Sequence, residues 1–161
     1  ARPETQSETS GETSVAAHFV RYFHEADWGF ESNAEDDTFR LQFQGTVHAW
    51  QCFALAREEE AHALFYSVVP QSVPAAQRPP MAELLTRANY ALVSGNFEMD
   101  WEDGEVRFKT SLDAQGQQLT TGWLHNLVYA NLQTMNTYLP AILAVANDGI
   151  TPQAALESVE N

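Results

Sequence analysis

Five histidines, one cysteine and two acidic triplets are the side chains through which this chain could bind a metal or carry out covalent chemistry. His18, His24, His48, His62 and His125 are scattered. None sits in an HExxH arrangement, and no two have the three- or four-residue spacing that lets imidazoles converge from one helix face onto zinc. Cys52 is alone, which excludes an intramolecular disulfide and a cysteine-based metal cluster; with no motif around it, it reads as a small apolar side chain of a central strand. Glu35-Asp36-Asp37 and Glu58-Glu59-Glu60 lack the ligand spacing, the glycine and the terminal glutamate of a calcium loop, and read as solvated turns. Glu98, Asp100, Glu102 and Asp103 could supply an acid pair, but Arg107 and Lys109 face them across a hairpin, which makes a structural role the better reading. The sequence has no phosphate-cradling glycine loop and no GxSxG. It therefore implies no catalytic residue, no metal site and no cofactor.

The elements that carry these residues are best drawn in the second half. Asn96 to Glu102 alternates apolar and acidic, Asp103-Gly104 supplies the pair that a two-residue primed turn needs, and Glu105 to Thr110 alternates again. With Asp103 and Gly104 as the loop, Trp101 faces Val106 and Met99 faces Phe108 on the core side. Asp100 then meets Arg107, and Glu98 meets Lys109, on the solvent side. Before the hairpin, Pro80 to Val93 is expected to be a helix with Met81, Leu84, Leu85, Ala88 and Leu92 as its stripe, ended by Ser94-Gly95. After it, Thr120 or Thr121 caps a helix to about Ala146, in which Asn131 interrupts the apolar face and Pro140 predicts a kink or break.

In the first half, Thr13 or Ser14 caps a helix with Val15, Phe19, Tyr22, Phe23 and Ala26 on one side. Strands are expected over 28–32, 38–44, 47–57 and 63–69, with connections short enough for an antiparallel meander. The fold class is thus α+β: an antiparallel sheet with helices packed on one face, in the order α-β-β-β-β-α-β-β-α. With 161 residues and 44% hydrophobic content, one domain with a substantial core is expected. It spans 13–147, after a tail, 1–12, too poor in large apolar side chains to order, and before a tail, 148–161, in which Pro152 can start a short helix.

Lys plus Arg number 8 against 22 Asp plus Glu, a net charge of −14, and such a field repels phosphate backbones and anionic lipid. Nucleic acid and membrane are therefore not expected as partners; a protein partner, basic or polar to suit this charge, or a second copy of the chain is, beside the plainer reading of an acidic surface as a source of solubility. The expected surface for either is a strip on strand 47–57. If Val47, Ala49, Phe53 and Leu55 face the helices, Trp50, Cys52 and Ala54 lie on an otherwise polar open face, beside Arg40, Gln42 and Gln44. The alternative is that Trp50 is covered by the loop from Pro70 to Pro79 or by the C-terminal tail.

The Asn89 region, Gly95-Asn96-Phe97, Gly104 with Val106-Arg107-Phe108, and Tyr138-x-Pro140 stand in the order and spacing of the YbjN family of bacterial sensory-transduction regulators, which the C-terminal half resembles. The resemblance implies the fold of type III secretion chaperones, small acidic proteins that bind extended segments of partners and are commonly dimeric. It implies no catalytic residues. The expected function is a non-enzymatic, cytoplasmic protein-binding or regulatory module. Two alternatives stand beside it: a small-ligand sensor or enzyme with its site where sheet and helices meet, and an assembly subunit of a larger complex. A reducing compartment fits the single cysteine.

Overall fold

The structure is a computed structural model that describes residues 13–161. Helix α1, Val15–Glu25, opens on Ser14, whose hydroxyl accepts the N–H of Ala17, and buries Val15, Phe19, Tyr22 and Phe23. A meander follows: β1 Glu31–Asn33, β2 Thr38–Gln44, β3 Ala49–Arg57 and β4 His62–Val68. A short 3-10 turn, Ala75–Gln77, leads into α2, Arg78–Ala91, with prolines in its first turn, where their missing N–H groups cost nothing. The chain then forms β5, Asn96–Met99, and β6, Val106–Asp113, before the long α3, Thr121–Asp148, and a last helix α4, Pro152–Glu160. Thr120 and Thr151 cap the last two helices as Ser14 caps the first.

All strand pairs are antiparallel, and the sheet order is β1-β2-β3-β4-β6-β5. The crossing through α2 carries the chain from β4 to the far edge, so that the β5–β6 hairpin returns β6 to the side of β4. The helices occupy one face. Beneath them lie Phe39, Leu41, Trp50, Cys52, Ala54, Phe65, Val106 and Phe108, all nearly or fully buried, packed against Met81, Leu84, Met135, Leu139 and Ile142. Buried Asn131 ties α3 to this layer: its amide donates to the carbonyls of Phe65 and Phe108 at 2.9 and 3.1 Å and to the Thr110 hydroxyl at 3.2 Å. The polar interruption in the α3 stripe is therefore a clamp on two adjacent strands.

The structure corrects the expected strip. Trp50 is 2% exposed and Cys52 and Ala54 are fully buried, so these three face the helices, and Ala49, Gln51, Phe53 and Leu55 line the open face. Small residues suit the inner side of β3 because α1 packs over it, and across the ladder two of them meet larger partners, Ala54 opposite Phe39 and Cys52 opposite Leu41, while the large Trp50 lies opposite Phe43. Trp50 packs among residues of β2, β4, α3 and the turn after β2. Its ring lies 5.1 Å from that of Phe43, its indole N–H donates to Ser67 at 2.9 Å, and Gly45 and Asn136 close over it.

The hairpin keeps the expected faces but slides by two residues. Met99 pairs with Val106, Phe97 with Phe108 and Glu98 with Arg107, while Trp101 is 57% exposed in the turn. The loop is wider than two residues because tertiary contacts hold it open: Arg78 donates to the carbonyls of Trp101 and Glu102, and Val73 donates to the carbonyl of Gly104. Gly104 is required there, since its φ is +79° and a β-carbon would collide with the Val73 carbonyl.

Of the kink or break expected at Pro140, the break does not occur. Helix α3 runs through it, with Pro140 on the exposed side, where water can satisfy the carbonyl of residue 136 that loses its N–H partner. The segment after Gly149 is docked: Pro152 and Ala155 are buried, α4 packs on α2 and α3, and Glu160 accepts the Tyr138 hydroxyl at 2.8 Å. The expectation for residues 1–12 lies outside the described residues.

Candidate functional site: the open face of the sheet

The side chains with covalent or ligating chemistry do not converge. Among the described residues, no group of three His, Cys, Asp or Glu could hold a metal ion. His18 bonds the Ser14 carbonyl at 2.8 Å, His62 lies 3.6 Å from Asp113, and His125 contacts the Tyr22 hydroxyl at 3.3 Å and stacks on Tyr129. Burial pushes the Cys52 thiol up to about 12, against hydrogen bonds from Ser67 and Trp50 that pull it down, so no thiolate nucleophile forms near neutral pH. Glu58 does more than solvate a turn. Its carboxylate accepts the N–H groups of Val15 and Ala16 at 3.0 and 2.8 Å and caps α1 from a distant part of the chain. The cleft of about 700 Å³ beside it, lined by Ser14, His18, Gln115, Gln117 and Leu119, is where a ligand at the junction of sheet and helices would sit. The positive helix end that could attract an anion there is already taken by Glu58.

The open face of the sheet is different. Strand register sets its side chains in rows that cross the strands, because directly opposed residues share a face. One row reads Glu31, Arg40, Phe53, Tyr66, Lys109, Asn96 from β1 to β5. The row on one side reads Gln42, Gln51, Val68, Arg107, Glu98, and the row on the other Asn33, Thr38, Leu55, Leu64, Ser111. The centre is therefore apolar over two strands: Phe53, Leu55, Leu64 and Val68 are half-buried with no helix of the described residues above them, and Tyr66 lies under the guanidinium of Arg107, 4.4 Å from its ring centre. Cations border this strip: Arg40 of β2 on one side, Arg107 and Lys109 of β6 on the other, and Arg57 of β3 beyond its Leu55 end.

Glu98 orders the second pair. It bonds Arg107 at 2.9 Å and also pairs with Lys109. Burial raises its pKa, but hydrogen bonds from Lys109, Arg107 and Asn96, together with the charge of Lys109, outweigh that and hold the carboxyl below the usual range. Its contribution to stability is thus present above the unfolded glutamate value, about 4.3, and is lost as pH falls through the lower folded value. A carboxyl-detected NMR titration is expected to find Glu98 titrating below the exposed glutamates, and Glu98→Gln is expected to flatten the acid limb of the melting profile; a titration within the ordinary range would contradict this geometry.

The two edges of the sheet are restricted in different ways. On β5, Asn89 of α2 accepts the Phe97 N–H at 2.7 Å and donates to its carbonyl at 3.1 Å, taking the groups a further strand would use. At the other edge β1 is exposed but only three residues long, and beyond its end the Trp28 indole donates to the Gln42 carbonyl of β2 at 3.0 Å. No sequence signal marks these two contacts, because each pairs a side chain with the backbone of a distant element.

The sequence profile of the YbjN family, described as "Putative bacterial sensory transduction regulator", matches residues 17–144. Among solved structures the chain is similar to YbjN from E. coli, described as "a putative transcription regulator", with 14% identity and a TM-score of 0.58 over 81% of this chain and 90% of that one. At that identity the likeness is one of fold. No curated protein matches. Among the described residues no helix is long and apolar enough to cross a membrane.

Proposed function

The chain belongs to the YbjN family, and on that premise we propose that it is a non-enzymatic regulatory module that acts by binding another protein through the open face of its sheet. The observation that carries this reading is the uncovered strip of Phe53, Leu55, Leu64 and Val68 amid polar and charged neighbours. A cytoplasmic setting fits the single, buried cysteine. The chaperone-like character implied by the resemblance enters only in this sense: a small acidic domain that holds a segment of another protein.

The double variant Phe53→Ser/Leu64→Ser tests the reading. Both side chains are only half-buried, so the loss of stability is expected to stay near 1 kcal/mol per site, with native circular dichroism. Cross-linking in the source cell is expected to lose the partner captured by the native chain. Retained capture by the folded variant would remove the open face as the binding surface.

A further inference from the structure

We propose that the segment docked on the open face is an amphipathic α-helix with acidic flanks, carried by another protein. The inference rests on the reading above and adds the chemistry of the partner. Strand addition, the other common way for a sheet to take up a segment, is opposed at β5 by Asn89 and offered only a three-residue strand at β1, beyond which Trp28 occupies the Gln42 carbonyl. Recognition therefore falls to the face and its side chains.

The dimensions of the strip fit a helix. Arg40 on β2 and Lys109 on β6 are separated by three strand spacings, about 14 Å, and a helix with its side chains is about 10–12 Å across. From Leu64 to Val68 the strip runs about 13 Å along β4, between two and three helical turns. An apolar stripe seated on Phe53, Leu55, Leu64 and Val68 would bring its flanking positions to Arg40 on one side and to Arg107 and Lys109 on the other, with Arg57 at one end.

Charge selects acidic flanks. Arg40, Arg57, Arg107 and Lys109 are half of the 8 Lys plus Arg in a chain of net charge −14, and all four project from this face. Their own counter-charges lie at the margins. Arg107 and Lys109 share the single carboxylate of Glu98, Arg40 reaches Glu31 only at 4.0 Å with both exposed, and Arg57 has no ion-pair partner among the described residues. An anionic segment is repelled by the rest of the surface and attracted here. Residues 1–161 do not supply this helix. The apolar stripes of α1 to α4 are spent on the core, and residues 1–12 contain no large apolar side chain.

The test is selection from a displayed library of ~18-residue helices, about five turns, with a fixed Leu/Phe stripe and flanks randomised among Glu, Gln and Lys, panned on the full chain. Glu is expected to be enriched at both flanks. The selected peptide, made synthetically, is expected to bind about tenfold more weakly to Arg40→Gln/Lys109→Gln, which removes charge without crowding Glu98. Against Arg40→Glu/Lys109→Glu, replacing its glutamates by lysine is expected to restore binding. Flanks without acidic bias, or an affinity indifferent to the Gln pair, would overturn the proposal while leaving the face as a docking surface, provided that Phe53→Ser/Leu64→Ser still abolishes selection. Peptides that bind that double variant equally well would overturn both readings. Self-association of the native chain in sedimentation, lost in Phe53→Ser/Leu64→Ser, would name a second copy as the occupant and overturn the acidic helix.

Discussion

Trp50→Ala is expected to cost about 3–5 kcal/mol, the range for deleting a large buried aromatic where the surroundings collapse only in part. The indole fills the space between Phe43, Gly45 and Asn136 and donates to the Ser67 hydroxyl, which itself contacts the Cys52 thiol at 3.7 Å. Truncation would leave a cavity under α3 and strip a fully buried Ser67 of its donor. Phe53→Ser, three residues away on the same strand, is expected to cost about 1 kcal/mol, because Phe53 sits on the uncovered face. Urea denaturation of the two variants measures both. A Trp50→Ala midpoint close to that of the native chain would put the indole in solvent and return the binding strip to Trp50, Cys52 and Ala54.

That assignment was within reach of the sequence, and the reason it is easy to miss is physical. On β3 both parities are apolar, and the bulkier set, Phe53 and Leu55, invites placement in the core. The neighbouring strand is unambiguous: Phe39, Leu41 and Phe43 alternate with Arg40, Gln42 and Gln44. Any connection with an even number of residues places the odd positions of β2 opposite the even positions of β3, so Trp50 must share the face of Phe43 or Leu41. The observed pairing of Phe43 with Trp50 is one such register. Cross-strand parity is a stronger constraint than side-chain size, because helices that pack closely on a sheet favour small residues beneath them.

The remaining features divide into those that local patterns carry and those that they do not. The α+β class, the helix caps and the faces of the hairpin follow from local patterns in Ser14, Thr120 and the alternation around Gly104. The capping of α1 by Glu58, the clamp of Asn131 on two carbonyls and the sealing of β5 by Asn89 join residues from 8 to 66 positions apart, with 42 and 43 for Glu58. None repeats with a period, so hydropathy patterns carry no trace of them. The docking face shares this property. Arg40, Phe53, Tyr66 and Lys109 form one row only after four strands are in register.

Phe108→Asp is expected to abolish cooperative unfolding altogether. Phe108 is fully buried between Phe97, whose ring lies 4.7 Å away, and Ser67 on the opposite strand. An aspartate there loses the packing of an aromatic ring, about 3–5 kcal/mol, and adds the burial of a carboxyl beside an Asn131 amide already committed to three acceptors. Together these approach the whole stability of an ordinary domain, about 5–15 kcal/mol. Phe108→Leu, which keeps the site apolar, is expected to retain a sharp transition, and Arg107→Gln next door to cost no more than about 1 kcal/mol, since its ion pair is half-exposed. The hairpin register is tested by coupling. Arg107 is expected to show an interaction energy with Glu98 in a double-mutant cycle and none with Asp100, whose carboxylate instead accepts the Glu102 N–H at 2.9 Å. Coupling to Asp100 would restore the two-residue turn, with Trp101 carried back onto the core side of the sheet.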